Sequence, residues 1–157
     1  MYRAYALYMK TITATDARQR WADVFSQAVG ARWPVAIARG GDEHGLLIGF
    51  DEANLVLQPY AFSTEVFFET DAVSIWVPEL DLYGRGATFE EARADLVEEV
   101  ADYVDEFLED ATLYLRSPNR AAHFPWVLRA YVANATGELT ALLFAPPDNG
   151  PVPVADA

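Results

Sequence analysis

The most specific chemical pattern lies near the start of the chain. Ala17, Trp21, Val24, Phe25 and Ala28 recur at helical spacing, and Gly30 ends the run. Thr15 stands at the expected N-cap, Asp16 follows in the first turn, and Arg18 lies one turn in. The free backbone N–H groups of a helix N-terminus suit phosphate, and an arginine fork beside them fits phosphate or guanine. Thr13 adds a second hydroxyl at the same tip, and Arg39 ends the apolar run Pro34-Val35-Ala36-Ile37-Ala38 just before Gly40-Gly41. With Arg20, the candidate nucleic-acid-binding set is Thr13, Thr15, Arg18, Arg20 and Arg39. The alternative is that Arg18 and Arg39 are ordinary surface arginines paired with Asp16 or Asp42.

Motifs for catalysis are sparse. The two histidines, His44 in a turn and His123 beside Pro125, have no second imidazole or cysteine at metal-ligand spacing. The chain has no G-x-S-x-G, no Walker loop and no G-x-G-x-x-G after a strand. Gly84-Arg85-Gly86 reads as a turn. Asp71, Glu79 and Asp81 lie near expected strand ends, where a metal-dependent hydrolase or nucleotide-binding protein places ligands. No cofactor is expected for the leading reading.

These residues need elements to position them. Lys10–Ala14 reads as a short strand, Pro34–Arg39 as a second, and Leu46–Phe50 as a third after the turn Gly40–Gly45, with a short helix from Asp51. Gln58-Pro59 marks a module boundary near residue 60. Beyond it, Thr64–Thr70 and Val73–Val77 read as strands and Pro78–Gly86 as a loop. Thr88-Phe89-Glu90-Glu91 is a capping box opening a long helix to about Asp110, with Phe89, Ala92, Leu96, Val100, Tyr103 and Phe107 on its inner face. Trp126–Asn134 and Glu138–Phe144 read as two further strands. Residues 1–8 look like an N-terminal extension ahead of Met9, and residues 146–157 like a flexible, Pro-rich tail. The expected class is α+β in two modules, a β-α-β-β-α unit and an acidic unit with a mixed or antiparallel sheet and one long helix.

The chain has 157 residues, 52% of them hydrophobic, and a net charge of −13, which excludes disorder throughout. There is no cysteine, which removes disulfides and thiol chemistry. With no signal peptide and no apolar run long enough for a membrane span, the expected compartment is the cytoplasm. The charge is unevenly placed: six Lys+Arg balance six Asp+Glu in residues 1–60, while five arginines face 18 Asp+Glu in residues 61–157. Repulsion from nucleic acid is thus confined to the second module. About 50 residues bury a core with difficulty, yet the first module is rich in Trp21, Phe25, Val35, Ile37, Leu46, Ile48 and Phe50. They pack either on the second module or on another copy. A two-fold dimer with Trp21, Phe25, Ile37 and Ile48 in its interface would set two Arg18/Arg39 clusters on one surface, as a palindromic site requires.

Met9-Lys10-Thr11-Ile12-Thr13-Ala14-Thr15-Asp16-Ala17-Arg18-Gln19, then Pro34–Arg39 and Gly45–Phe50 followed by Asp51-Glu52-Ala53, resembles the Phd/YefM antitoxin module over about 50 residues. The resemblance implies a dimer that binds its own operator, represses a type II toxin–antitoxin operon and contacts DNA through Arg18 and Arg39. Trp21 replaces the family's usual Leu, Arg20 a common Asn, and Asp42-Glu43 a frequent Lys-Pro. Val73-Ser74-Ile75-Trp76-Val77-Pro78-Glu79-Leu80 and Gly86-Ala87-Thr88-Phe89-Glu90-Glu91-Ala92 resemble a HicB-type antitoxin domain, with Asp81-Leu82 where that family has Pro-Gly. Together the resemblances imply a non-enzymatic antitoxin whose partners are operator DNA, a second copy of itself in a homodimer or higher oligomer, and a basic toxin such as a RelE-like ribonuclease, with no membrane partner. Two other readings remain open: a HicB-like module with metal-dependent hydrolytic or nucleotide-binding activity through Asp71, Glu79 or Asp81, and an acidic protein-binding scaffold that does not touch DNA.

Overall fold

The computed structural model describes residues 11–145. The expected extension at 1–8, the start at Met9-Lys10 and the tail at 146–157 lie outside them. The chain divides into two compact units, Met1–Val56 and Leu57–Ala157.

In the first unit, β1 (Ile12–Thr13) leads into α1 (Ala14–Gln19) and α2 (Trp21–Phe25), continued by a π-turn, Ser26–Gly30. Then come β2 (Val35–Arg39), β3 (Glu43–Leu47) and α3 (Phe50–Leu57). The sheet is mixed, with β1 parallel to β2 and β2 antiparallel to β3. The first helix begins earlier than its sequence signal. Thr13, not Thr15, is the N-cap, its Oγ1 accepting from the Asp16 N–H at 3.0 Å. Threonine at either position has the hydroxyl a cap needs, and only β1 ending at Thr13 selects between them. The expected single helix bends at Arg20, whose backbone leaves the helical region (φ −120°, ψ 34°). Its helical stripe consequently splits: Ala17, Val24 and Ala28 are buried, while Trp21 and Phe25 stay about half exposed. The third strand also starts earlier, at Glu43 rather than Leu46, because the turn closes in three residues with Gly40 at φ 64°.

In the second unit, β4 (Glu65–Phe68), β5 (Val73–Val77) and β6 (Leu82–Gly86) form an antiparallel sheet in that order. β5 alternates cleanly: Val73, Ile75 and Val77 are buried, Ser74 and Trp76 less so. The buried face packs on α4 (Phe89–Glu109) through Ala92, Leu96, Val100, Tyr103, Val104 and Phe107. Thr88 caps the helix as its spacing predicts, but Glu91 bonds the N–H of Ala87 rather than that of the cap residue. The Thr88 hydroxyl accepts from the Glu91 N–H at 3.2 Å, and the Glu91 carboxylate reaches back to the Ala87 N–H at 2.8 Å. The expected loop and Gly turn at 82–86 is instead strand β6. Its glycines answer to packing, because a Cβ on Gly84 would sit 2.3 Å from the Ala92 carbonyl oxygen.

The chain then continues through α5 (Ala111–Arg116), α6 (Pro118–Ala121), α7 (Phe124–Ala135) and α8 (Leu139–Phe144). The expected strands Trp126–Asn134 and Glu138–Phe144 are therefore helices. Pro125 occupies the first turn of α7, where its missing N–H costs nothing. Gly137, at φ 76°, closes that helix in a Schellman motif, with Glu138 N–H donating to Ala133 C=O at 2.7 Å and Gly137 N–H to Asn134 C=O at 3.1 Å. Val127, Ala130, Leu139 and Leu143 fill the same core as α4. Among the described residues, no helix is long and apolar enough to cross a membrane.

Candidate functional site

β1 and α1 fix the position of the threonines and Arg18. The Thr13 Oγ1 is engaged by the Asp16 N–H, so its own O–H proton remains available to an anion. Thr15 lies one residue inside α1 and is exposed, as is Arg18. Arg18 makes no ion pair among the described residues. Its side chain borders a recess of about 510 Å³ shared with Ala14, Ala17, Trp21 and Ile37.

The other two arginines are engaged. Arg20 pairs with Asp23 at 3.5 Å. Arg39 is gripped by both oxygens of Glu43, at 2.6 and 3.2 Å, because the antiparallel register sets Arg39 directly opposite Glu43. The expected carboxylate partners, Asp16 and Asp42, are not the ones used. Both pairs are exposed and so weakly held.

The four apolar interface candidates fall into two neighbouring recesses. Trp21 and Ile37 border the Arg18 recess. Phe25 and Ile48 line a groove of about 330 Å³ with Val29, Leu47, Gly49, Phe50, Asp51 and Glu52. The Trp21 and Phe25 rings, 6.0 Å apart, join the two. At this end Arg32 pairs with Asp51 at 2.5 Å and Glu52 at 3.2 Å.

The three carboxylates considered for metal binding are not gathered. Glu79 accepts from the Ser63 N–H and hydroxyl, Asp81 accepts from the Trp76 indole N–H at 3.2 Å, and Asp71 is exposed. Among the described residues no group of three or more His, Cys, Asp or Glu is placed to hold a metal ion.

A polar cluster in the second unit escaped sequence reasoning. The Tyr103 hydroxyl lies 2.8 Å from His123 Nδ1 and accepts from Arg120 Nη1 at 3.1 Å. Burial pushes the Tyr103 phenol up, opposed by Arg120. Burial, aided by the Arg120 charge and opposed by Asp81, pushes His123 down. The separation of twenty positions between Tyr103 and His123 hides this cluster from any spacing rule.

The family model described as "PHD_like: Antitoxin of toxin-antitoxin, RelE / RelB, TA system" matches residues 9–144, spanning both units. A crystal structure from Syntrophomonas wolfei subsp. wolfei, described as the antitoxin part of a proposed toxin/antitoxin system, shares the fold. It is 22% identical, with a TM-score of 0.68 over 85% of this chain and 95% of that one. No curated protein matches the sequence significantly. With a match over most of its length, the chain belongs to the PHD-like family of antitoxins from RelE/RelB toxin–antitoxin systems.

Proposed function

We propose that this antitoxin is of type II and that its two units divide the work. The first unit pairs with a second copy and holds operator DNA, repressing its own operon. The second faces the toxin. The observation that carries this reading is Arg18, an exposed guanidinium with no carboxylate partner among the described residues, set at the border of an exposed apolar surface. Pairing two copies through Trp21, Phe25, Ile37 and Ile48 covers that surface and presents two Arg18 side chains to one duplex. Thr13, at the N-cap, and Thr15, three residues before Arg18, carry hydroxyls that can donate to phosphate. Arg20 and Arg39 exchange Asp23 and Glu43 for phosphate when DNA arrives, which an exposed pair does at little cost.

The toxin is a basic protein in this scheme. A RelE-like ribonuclease must hold RNA, so its surface carries positive charge, and the second unit sets five arginines against 18 Asp+Glu. Complementary charge speeds capture and makes it depend on salt.

The test is a mobility-shift titration of the full chain on the DNA upstream of its own gene. Arg18→Ala is expected to weaken binding by about 1–3 kcal/mol without altering the melting curve. Unchanged affinity in that variant would remove Arg18 from the interface.

A further inference from the structure

The sheet of the second unit has one protected edge and one open edge. α4 packs chiefly on β6 and β5, and all four residues of β4 are exposed. Val66 and Phe68 share the core-facing side with Ile75 and Val73, yet they remain 37% and 78% exposed. Phe67 projects from the opposite face and is 45% exposed. That face also carries Trp76 stacked on Tyr83, ring centroids 5.8 Å apart. Among the described residues β4 therefore offers three consecutive apolar residues at an edge that no strand pairs, with no Lys, Pro or bulge to blunt it.

The backbone of β4 is aimed for pairing. The Glu69 N–H bonds Ala72 C=O at 2.8 Å, so Glu69 faces β5. Alternation along an antiparallel pair then turns the N–H and C=O groups of Val66 and Phe68 outward. An added strand would bond to those two residues.

Charge selects the occupant. A second copy pairing antiparallel over the whole strand, with Val66 opposite Phe68, sets Glu65 of each copy opposite Glu69 of the other. Arg85 holds Glu69 at 3.1 Å, which softens that clash of like charges, so the chief obstacle to a second copy is the net −13 that each second unit carries. Glu65 and Asp71 bracket the apolar stretch and are exposed. We infer that β4 is the docking edge for the toxin, which adds an extended segment with apolar residues between flanking Lys or Arg side chains. The inference rests on the antitoxin reading and specifies its toxin-facing surface.

The experiment is residue-resolved hydrogen exchange on the full chain, alone and in complex with the basic protein encoded beside it. Binding is measured in parallel for the wild type, Val66→Pro and Phe68→Lys. Proline at 66 removes an outward N–H and no bond to β5, as edge positions tolerate. Lysine at the exposed position 68 repels a basic strand. In the complex, the Val66 and Phe68 amides are expected to exchange on the order of tenfold more slowly or less. Each variant is expected to bind about tenfold more weakly with its melting curve unchanged. Free-chain exchange rates at those amides in the complex, or wild-type affinity in both variants, would overturn the docking edge alone. Protection already present in the free chain would assign the edge to a second copy or to the chain's own terminal residues, and would also overturn it. A wild-type chain that binds no toxin would overturn the antitoxin reading itself.

Discussion

The two units solve the same burial problem to different extents. The second gathers fourteen buried residues around α4, with Phe107, Ile75, Leu80 and Leu96 fully enclosed. The first has a core cluster of Val24, Ala28 and Val35, with Ile12, Ile37 and Leu47 packed partly against it. It leaves Trp21, Phe25, Val29, Trp33, Leu46 and Phe50 at 40–66% exposure. Charge divides along the same line, with neutrality before residue 57 and −13 after it. That exposed apolar surface is what the proposed self-pairing would cover. The second unit leaves Val66, Phe67 and Phe68 exposed on β4, but it encloses a far larger core, and its 18 Asp+Glu outweigh five arginines, which suits it to an oppositely charged partner. The assignment of self-pairing and DNA to the first unit, and of the toxin to the second, follows from that contrast.

Substitutions can test the contrast. Phe107→Ala empties a fully buried site and is expected to cost about 3–5 kcal/mol, read by denaturant unfolding. Trp21→Ala, at a half-exposed site, should cost an isolated chain far less and act mainly on self-association. Equal losses in the two variants at low concentration would erase the distinction. Gly84→Ala drives a methyl group against α4 backbone and is expected to destabilise the second unit by roughly 1–3 kcal/mol. A neutral effect would mean that β6 and α4 can separate freely. Thr13→Ala and Thr88→Ala remove matching N-caps, each worth about 1 kcal/mol. Because α1 is short and Thr13 lies in the proposed interface, only Thr13→Ala should also weaken DNA binding.

The smallest effect concerns pH. His123 is held below its ordinary value by burial and by Arg120, so the unfolded chain takes up the proton first on acidification. Stability is therefore expected to be full above about pH 6.5, the ordinary histidine value, and to fall as pH drops through the lower folded value. His123→Gln should flatten this part of the profile, while the carboxylates still contribute at lower pH.

Much of this arrangement was legible in the residues. The capping-box spacing and 3.6-residue period defined α4, and Val73–Val77 read as the strand that is β5. The position of Arg18 one turn into the first helix also followed from sequence. What was missed has identifiable causes. Trp126, Val127, Tyr131 and Val132 have strand propensity, but their context is helical, and Pro125 and Gly137 were the signals that outweighed it. Gly84 and Gly86 read as turn residues because a close approach by α4 cannot be seen before α4 is placed. For Arg39 the sequence offered Asp42 as a partner, and the pairing with Glu43 instead depends on hairpin register, which a one-residue change in the turn would alter.

The central claim is that the first unit completes itself with a second copy. Sedimentation equilibrium on the full chain, across a concentration series, tests it most directly. The account predicts a species of at least twice the 17.4 kDa chain mass, returning to the monomer when Trp21→Glu and Phe25→Glu are combined. A wild-type chain that stays at monomer mass at every concentration would contradict it.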